Sequence, residues 1–168
     1  MPTPDVDVVG MLEVLDRHRV DYVVIGGLAI ELHDVAVPPT RDVDITPATA
    51  HSNLLRLAAA LKELEARFRV PDGPPAGVEV PGGITPEWLS GMVTITLVTA
   101  AGPLDLNFVP DGTTGYADLV AGHVELEFDG RRVRVANLED VVRSKEAAGR
   151  QKDVQVLPAL RAHLRRST

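Results

Sequence analysis

Cysteine is absent from the 168 residues. Its absence removes disulfides, thiolate nucleophiles and Cys-ligated zinc, so a metal here must be held by carboxylates or by the five His. No apolar run approaches the ~20 residues that span a bilayer. The opening Met1-Pro2-Thr3-Pro4-Asp5 has neither the basic n-region nor the apolar h-region of a signal peptide. Both absences lead to the expectation of a cytoplasmic protein that does not touch a membrane. What is present is 45% apolar and 24% charged residues, the balance of a globular chain able to bury a core. Internal repeats, low-complexity tracts and signs of a second domain are also lacking, so residues 1–168 read as a single domain.

The net charge of −7 argues against a protein that simply coats nucleic acid. It is unevenly spread. Residues 131–168 carry ten Lys+Arg against four Asp+Glu, whereas residues 1–130 carry seven against twenty. The basic segment has two readings: cations decorating the solvent faces and C-termini of terminal helices, or a surface for a polyanion.

Val8, Met11, Leu12 and Leu15 recur at helical spacing and predict a helix over 6–19. Residues 21–25 read as a buried strand ending at Gly26-Gly27, followed by a short helix from Leu28 to His33 that stops before Pro38-Pro39. A second strand covers 41–45. A long helix is expected over 53–68, with Leu54, Leu57, Leu61, Leu64 and Phe68 on one stripe. In residues 71–86, nine of sixteen are Pro or Gly, which predicts a loop. Two hairpins follow, 92–98 with 103–108 and 124–128 with 131–135, the second turning at Asp129-Gly130. Asn137 caps a helix reaching Ala148, and after a break at Gly149 a last helix runs from Arg150 toward Arg165.

The fragment Thr40-Arg41-Asp42-Val43-Asp44-Ile45 carries the chemistry. Side chains alternate on a strand, so Asp42 and Asp44 share one face, about 7 Å apart at Cα, while Val43 and Ile45 enter the core. Paired carboxylates can share divalent cations, although Asp-x-Asp alone also fits a solvated strand end. Asp105, between Leu104 and Leu106 on another strand, is a third acid facing away from the core. Three aspartates on two strands beside a Gly-Gly turn form a metal cage next to a phosphate-binding turn.

Two charged residues near the C-terminus also point inward. Lys145 follows Leu138, Val141 and Val142 on the apolar stripe of its helix, and Asp153 shares a face with Leu157, Leu160 and Leu164. Either Lys145 contacts nucleotide phosphates with Asp153 orienting it or a neighbouring cation, or the two form a salt bridge that staples the last two helices. His33, alone at the end of its helix, reads as a packing or capping residue. Thr40 contacts phosphate, undergoes modification or merely begins its strand. Ser52 and Ser144 lack a His partner in any motif, which argues against a serine nucleophile.

In Gly26-Gly27, the helix through Ala29 and His33, Thr40 to Ile45, Asp105, and Lys145 with Arg150-Gln151-Lys152-Asp153, the sequence resembles the nucleotidyltransferase superfamily with the DNA polymerase β-like fold, and more narrowly the AbiEii/MenT-like toxin nucleotidyltransferases. The resemblance covers about residues 20–160. It implies an α/β fold, a mixed twisted sheet flanked by helices with short C-terminal helices. It implies that Gly26 and Gly27 contact the triphosphate, that Asp42 and Asp44 hold Mg²⁺, and that Asp105 binds metal and activates the incoming hydroxyl. Thr40, Arg41, Lys145 and Arg150 fall in the implied nucleotide-binding set, and Lys145 and Asp153 in the catalytic one. The implied reaction moves a nucleoside monophosphate from an NTP to an acceptor hydroxyl. The toxin branch implies the 3′ end of tRNA as acceptor, with the basic C-terminal helices holding RNA, and a cognate antitoxin. Two alternatives stand beside it: an antibiotic-modifying nucleotidyltransferase, which the acidic body suits, and a catalytically inactive nucleotide-binding module.

Overall fold

The computed structural model describes residues 5–168. Met1–Pro4, the start of the stretch read for leader features, lie outside the described residues. No helix among the described residues is long and apolar enough to cross a membrane.

Helix α1 (Val8–Arg17) is capped by Asp7, whose side chain accepts from the Gly10 backbone N–H, and buries Met11, Leu12 and Leu15. Strand β1 (Tyr22–Ile25) runs directly into α2 (Gly26–Leu32). Strand β2 (Val43–Pro47) returns antiparallel to β1, and α3 (His51–Glu63) packs its leucines into the core. Burial of each such leucine contributes about 1.5–3 kcal/mol.

The long helix expected over 53–68 ends early. Leu64 caps α3 and Glu65 adopts a φ of 53°, which turns the chain so that Arg67–Phe68 forms an edge strand, β3. Phe68 therefore leaves the helical stripe and meets the Trp88 ring edge-on at a centroid distance of 5.8 Å. The Pro/Gly segment is less irregular than its composition suggests, because Val78 exchanges backbone hydrogen bonds with Phe68. Its last residue, Pro86, opens α4 (Pro86–Ser90), where Thr85 caps the Trp88 N–H and proline occupies the first turn.

Strands β4 (Thr94–Thr99) and β5 (Gly102–Asn107) form the expected hairpin. Helix α5 (Tyr116–Ala121) was not anticipated; at six residues it is too short for a 3.6-residue period to stand out. Strands β6 (Val124–Phe128) and β7 (Arg131–Val135) pair across Asp129 and Gly130, both at positive φ as a tight hairpin turn requires. Asn137 caps α6 (Leu138–Ala148) by accepting from the Asp140 N–H, Gly149 turns the chain in the left-handed region, and α7 (Gln151–Arg166) completes the fold.

The seven strands lie in the order β3-β4-β5-β2-β1-β7-β6. The pairs β2–β5 and β1–β7 are parallel and the others antiparallel, so the sheet is mixed as expected.

Candidate functional site

Sheet register assembles the site. Ile25 stands opposite Asp44, Asp44 opposite Asp105, and Asp105 opposite Thr96, which makes one row across four strands. Alternation sends Val43, Ile45, Leu104 and Leu106 into the core and leaves the carboxylates on the other face. Asp42, just before β2, completes the group: one oxygen from each of Asp42, Asp44 and Asp105 lies within 4.8 Å of the others.

The Gly-Gly turn closes against these acids because Gly26 directly follows the row. Its φ is +67°, and a Cβ there would run into the Asp44 carboxylate. At Gly27 a Cβ would lie 3.0 Å from the Thr40 hydroxyl. Thr40 is itself fixed, with its N–H donating to the Glu31 carboxylate and its hydroxyl within 3.0 Å of both the Asp42 carbonyl oxygen and Oδ1.

Electrostatics follow from crowding. Burial, then Asp42 and Asp105, push Asp44 up to about 8, and Lys152 opposes the shift. Burial raises Asp105 as well, against the pull of the Thr96 hydroxyl and Lys152. Asp105 Oδ1 is buried with no hydrogen-bond donor. An unsatisfied buried carboxylate oxygen, among three that converge, is the donor set a hard divalent cation takes, so the residues fit Mg²⁺.

A cavity of about 460 Å³ opens over the acids and is walled on the far side by α6 and the start of α7. Gly26, Gly27, Thr40, Lys145, Arg150 and Asp153 all line it together with the three acids. Arg41 does not; its residue is exposed and its side chain is absent from the wall, so the structure does not bring it to the nucleotide-binding set. Asp153 is fully buried and accepts from Lys145 Nζ at 3.1 Å and from Arg150 Nε at 2.7 Å. Burial works against its ionised form, but the Arg150 and Lys145 bonds outweigh it and hold the carboxyl below its ordinary range. The stapling salt bridge and the cavity-facing position are thus both present in one arrangement. His33 is a packing residue as expected, its Nε2 2.9 Å from the Ala136 carbonyl oxygen.

Sequence reasoning missed Thr96 and Asn107, and it named Lys152 in the motif that carries the resemblance without giving it a role. The first two were available in principle, since fixing the β4–β5 turn at Thr99–Gly102 sets Thr96 across from Asp105 and Thr94 across from Asn107. Lys152 gave no periodic signal, because its position depends on how Gly149 aims α7.

The fold is that of several solved nucleotidyltransferases. The lincosamide antibiotic adenylyltransferase LnuA, solved with lincomycin bound, superposes with a TM-score of 0.63 at 15% identity, covering 95% of this chain and 99% of that one. ANT(2'')-Ia in complex with adenylyl-2''-tobramycin gives 0.59 at 16% identity, covering 94% and 87%. An antigenic nucleotidyltransferase-like protein from Paracoccidioides brasiliensis gives 0.52 at 19%, covering 90% and 73%. No protein-family model matches the sequence, and no curated protein sequence matches it. At these identities the likeness defines the fold.

Proposed function

We propose that this protein transfers a nucleoside monophosphate from an NTP to an acceptor hydroxyl, with release of pyrophosphate. The observation that carries the reading is the convergence of Asp42, Asp44 and Asp105 beside the Gly26-Gly27 turn. Mg²⁺ held by the three aspartates supplies charge neutralisation for the triphosphate. Gly26 and Gly27 let the backbone approach the phosphates, and Thr40 fixes the strand entry next to Asp42. Lys145 and Arg150, held by Asp153, direct their remaining N–H groups into the cavity. Asp105 Oδ1, buried without a donor, receives the hydrogen of the acceptor hydroxyl. The acceptor oxygen then bonds to the α-phosphorus as the bond from that phosphorus to the bridging oxygen breaks, and pyrophosphate leaves.

The acceptor has two readings. A tRNA 3′ end, with this chain as a toxin held in check by a cognate antitoxin, draws on the AbiEii/MenT resemblance and on the basic segment 131–168. Of its ten cations, seven are paired with carboxylates of the fold, among them Arg131 with Asp16, Arg143 with Asp118 and Arg161 with Glu146. Among the described residues only Lys152, Arg165 and Arg166 of the segment stand outside ion pairs. A small hydroxyl-bearing acceptor draws on the cavity wall, where six aspartates face three cations, and on the antibiotic acceptors carried by the two adenylyltransferases of the same fold. We take the small acceptor as the stronger reading.

The test is incubation with each α-labelled NTP and Mg²⁺ in the presence of total tRNA in one arm and of tobramycin or lincomycin in the other. Label on either class supports transfer and identifies the acceptor. RNA labelling that falls sharply between ~50 and ~200 mM salt, and falls further in Arg165→Gln/Arg166→Gln, would reinstate the toxin reading.

A further inference from the structure

Most cations of the C-terminal segment are neutralised locally, and Lys152 is different. It lines the cavity that holds the three aspartates, and it has no carboxylate partner within ion-pair distance among the described residues. Its neighbour in sequence explains its position. Asp153 is fully buried and clamps Lys145 on α6 and Arg150 at the start of α7. That clamp fixes the first turn of α7, and Gly149, at a φ of 63°, sets the angle at which the turn meets α6. The two clamped cations and Asp153 together carry one net positive charge. Lys152 adds a second charge that is held in no ion pair among the described residues.

We propose that Lys152 is the mobile triphosphate contact of this site, and that it shares the field of Asp42, Asp44 and Asp105 with the metal. The inference rests on the nucleotidyltransferase reading above and adds a residue to it. Its charge acts on the acids themselves, since Lys152 and Asp42, Asp44 and Asp105 line one cavity. A flexible lysine stem with three donors suits this role, because it can swing from carboxylate oxygens to phosphate oxygens without a fixed fork geometry. Two consequences have opposite sign. Without the Lys152 charge, the acids attract a divalent cation more strongly, whereas a metal-bound triphosphate loses a charge-assisted contact.

The experiment is titration calorimetry of the whole chain and of Lys152→Gln and Lys152→Arg, with Mg²⁺ alone and then with the α,β-methylene analogues of the four NTPs in Mg²⁺. Lys152 is exposed, so the variants keep the fold, and circular dichroism checks this. Lys152→Gln should bind Mg²⁺ several-fold tighter and the preferred analogue about tenfold more weakly, the loss of one hydrogen bond to a charged group. Lys152→Arg should stay near wild type for both. If the wild type binds an analogue and Lys152→Gln binds it equally well, the role of Lys152 is overturned while the site reading stands. If the wild type binds none of the four, the site reading itself fails and the triphosphate contact with it. Mg²⁺ affinity unchanged or weakened in Lys152→Gln would contradict the shared field whatever the nucleotide result.

Discussion

Gly26 stands against the carboxylate of Asp44, so that any side chain at Gly26 would displace a metal-site oxygen. Gly26→Ala should therefore cost about 1–2 kcal/mol for a non-glycine residue at positive φ, and in addition lose Mg²⁺ affinity. Gly82 provides the control, since it has a φ of +79° and a Cβ there meets nothing within 4 Å. Chemical denaturation should show the positive-φ cost in both variants and a larger loss in Gly26→Ala, with Mg²⁺ titration impaired only in Gly26→Ala. Normal Mg²⁺ binding by Gly26→Ala would separate the turn from the acids.

The crowding of Asp44 has a definite pH signature. A carboxyl raised to about 8 in the folded chain, against ~3.9 unfolded, costs stability as pH rises from about 4, with the full cost present above about 8. Asp44→Asn removes that cost. In chelator, Asp44→Asn should be more stable than wild type at pH 8.5, and the two denaturation curves should converge near pH 4. Mg²⁺ should bind wild type more tightly as pH rises through the same window. A constant difference between the two proteins at every pH would contradict the assignment.

The strand pattern and caps around this centre were legible because each depends on neighbours in sequence. Val43 and Ile45 enter the core and Asp42 and Asp44 do not, and Asn137 caps α6 as its spacing to Asp140 predicts. Three elements were not legible: β3 has two residues, and α4 and α5, with five and six, span fewer than two helical turns, too few for a period to stand out. The third acid was found from its apolar neighbours, but Thr96 required the hairpin register and Lys152 required the angle between α6 and α7. Arg41 shows that adjacency in sequence is not adjacency in the site, since it stands exposed while its neighbour Asp42 lines the cavity. Of the ten cations in residues 131–168, whose two readings the sequence left open, four pair with carboxylates from residues 1–130 that only the fold brings near.

Lys145→Met should destabilise the fold by about 1–3 kcal/mol, because it leaves the buried Asp153 carboxylate with Arg150 as its only cation. A carboxyl held below its ordinary range stabilises the chain above about pH 4 and loses that contribution as the pH falls through its folded value. The difference between Lys145→Met and wild type should accordingly shrink on acidification. Thermal melts from pH 7 to pH 3 measure it, and a difference that grows toward low pH would contradict the clamp.

Asp42→Ala or Asp44→Ala should abolish turnover with little loss of folded protein, since each removes a metal-facing carboxylate from the rim of a cavity rather than from the core. Circular dichroism and pyrophosphate release, measured on the same samples, check both halves. Near wild-type activity of either variant in Mg²⁺ would remove Asp42 and Asp44 from the metal site.

The most direct measurement pairs pyrophosphate release with nucleotide binding in wild type and Asp105→Asn. Wild type, given Mg²⁺, an NTP and its acceptor, should release one pyrophosphate for each acceptor labelled. Asp105→Asn should bind the α,β-methylene analogue with affinity only partly reduced, yet transfer nothing, because its amide oxygen cannot take the hydrogen of the acceptor hydroxyl. Stoichiometric labelling and pyrophosphate release by Asp105→Asn at the wild-type rate would contradict the account.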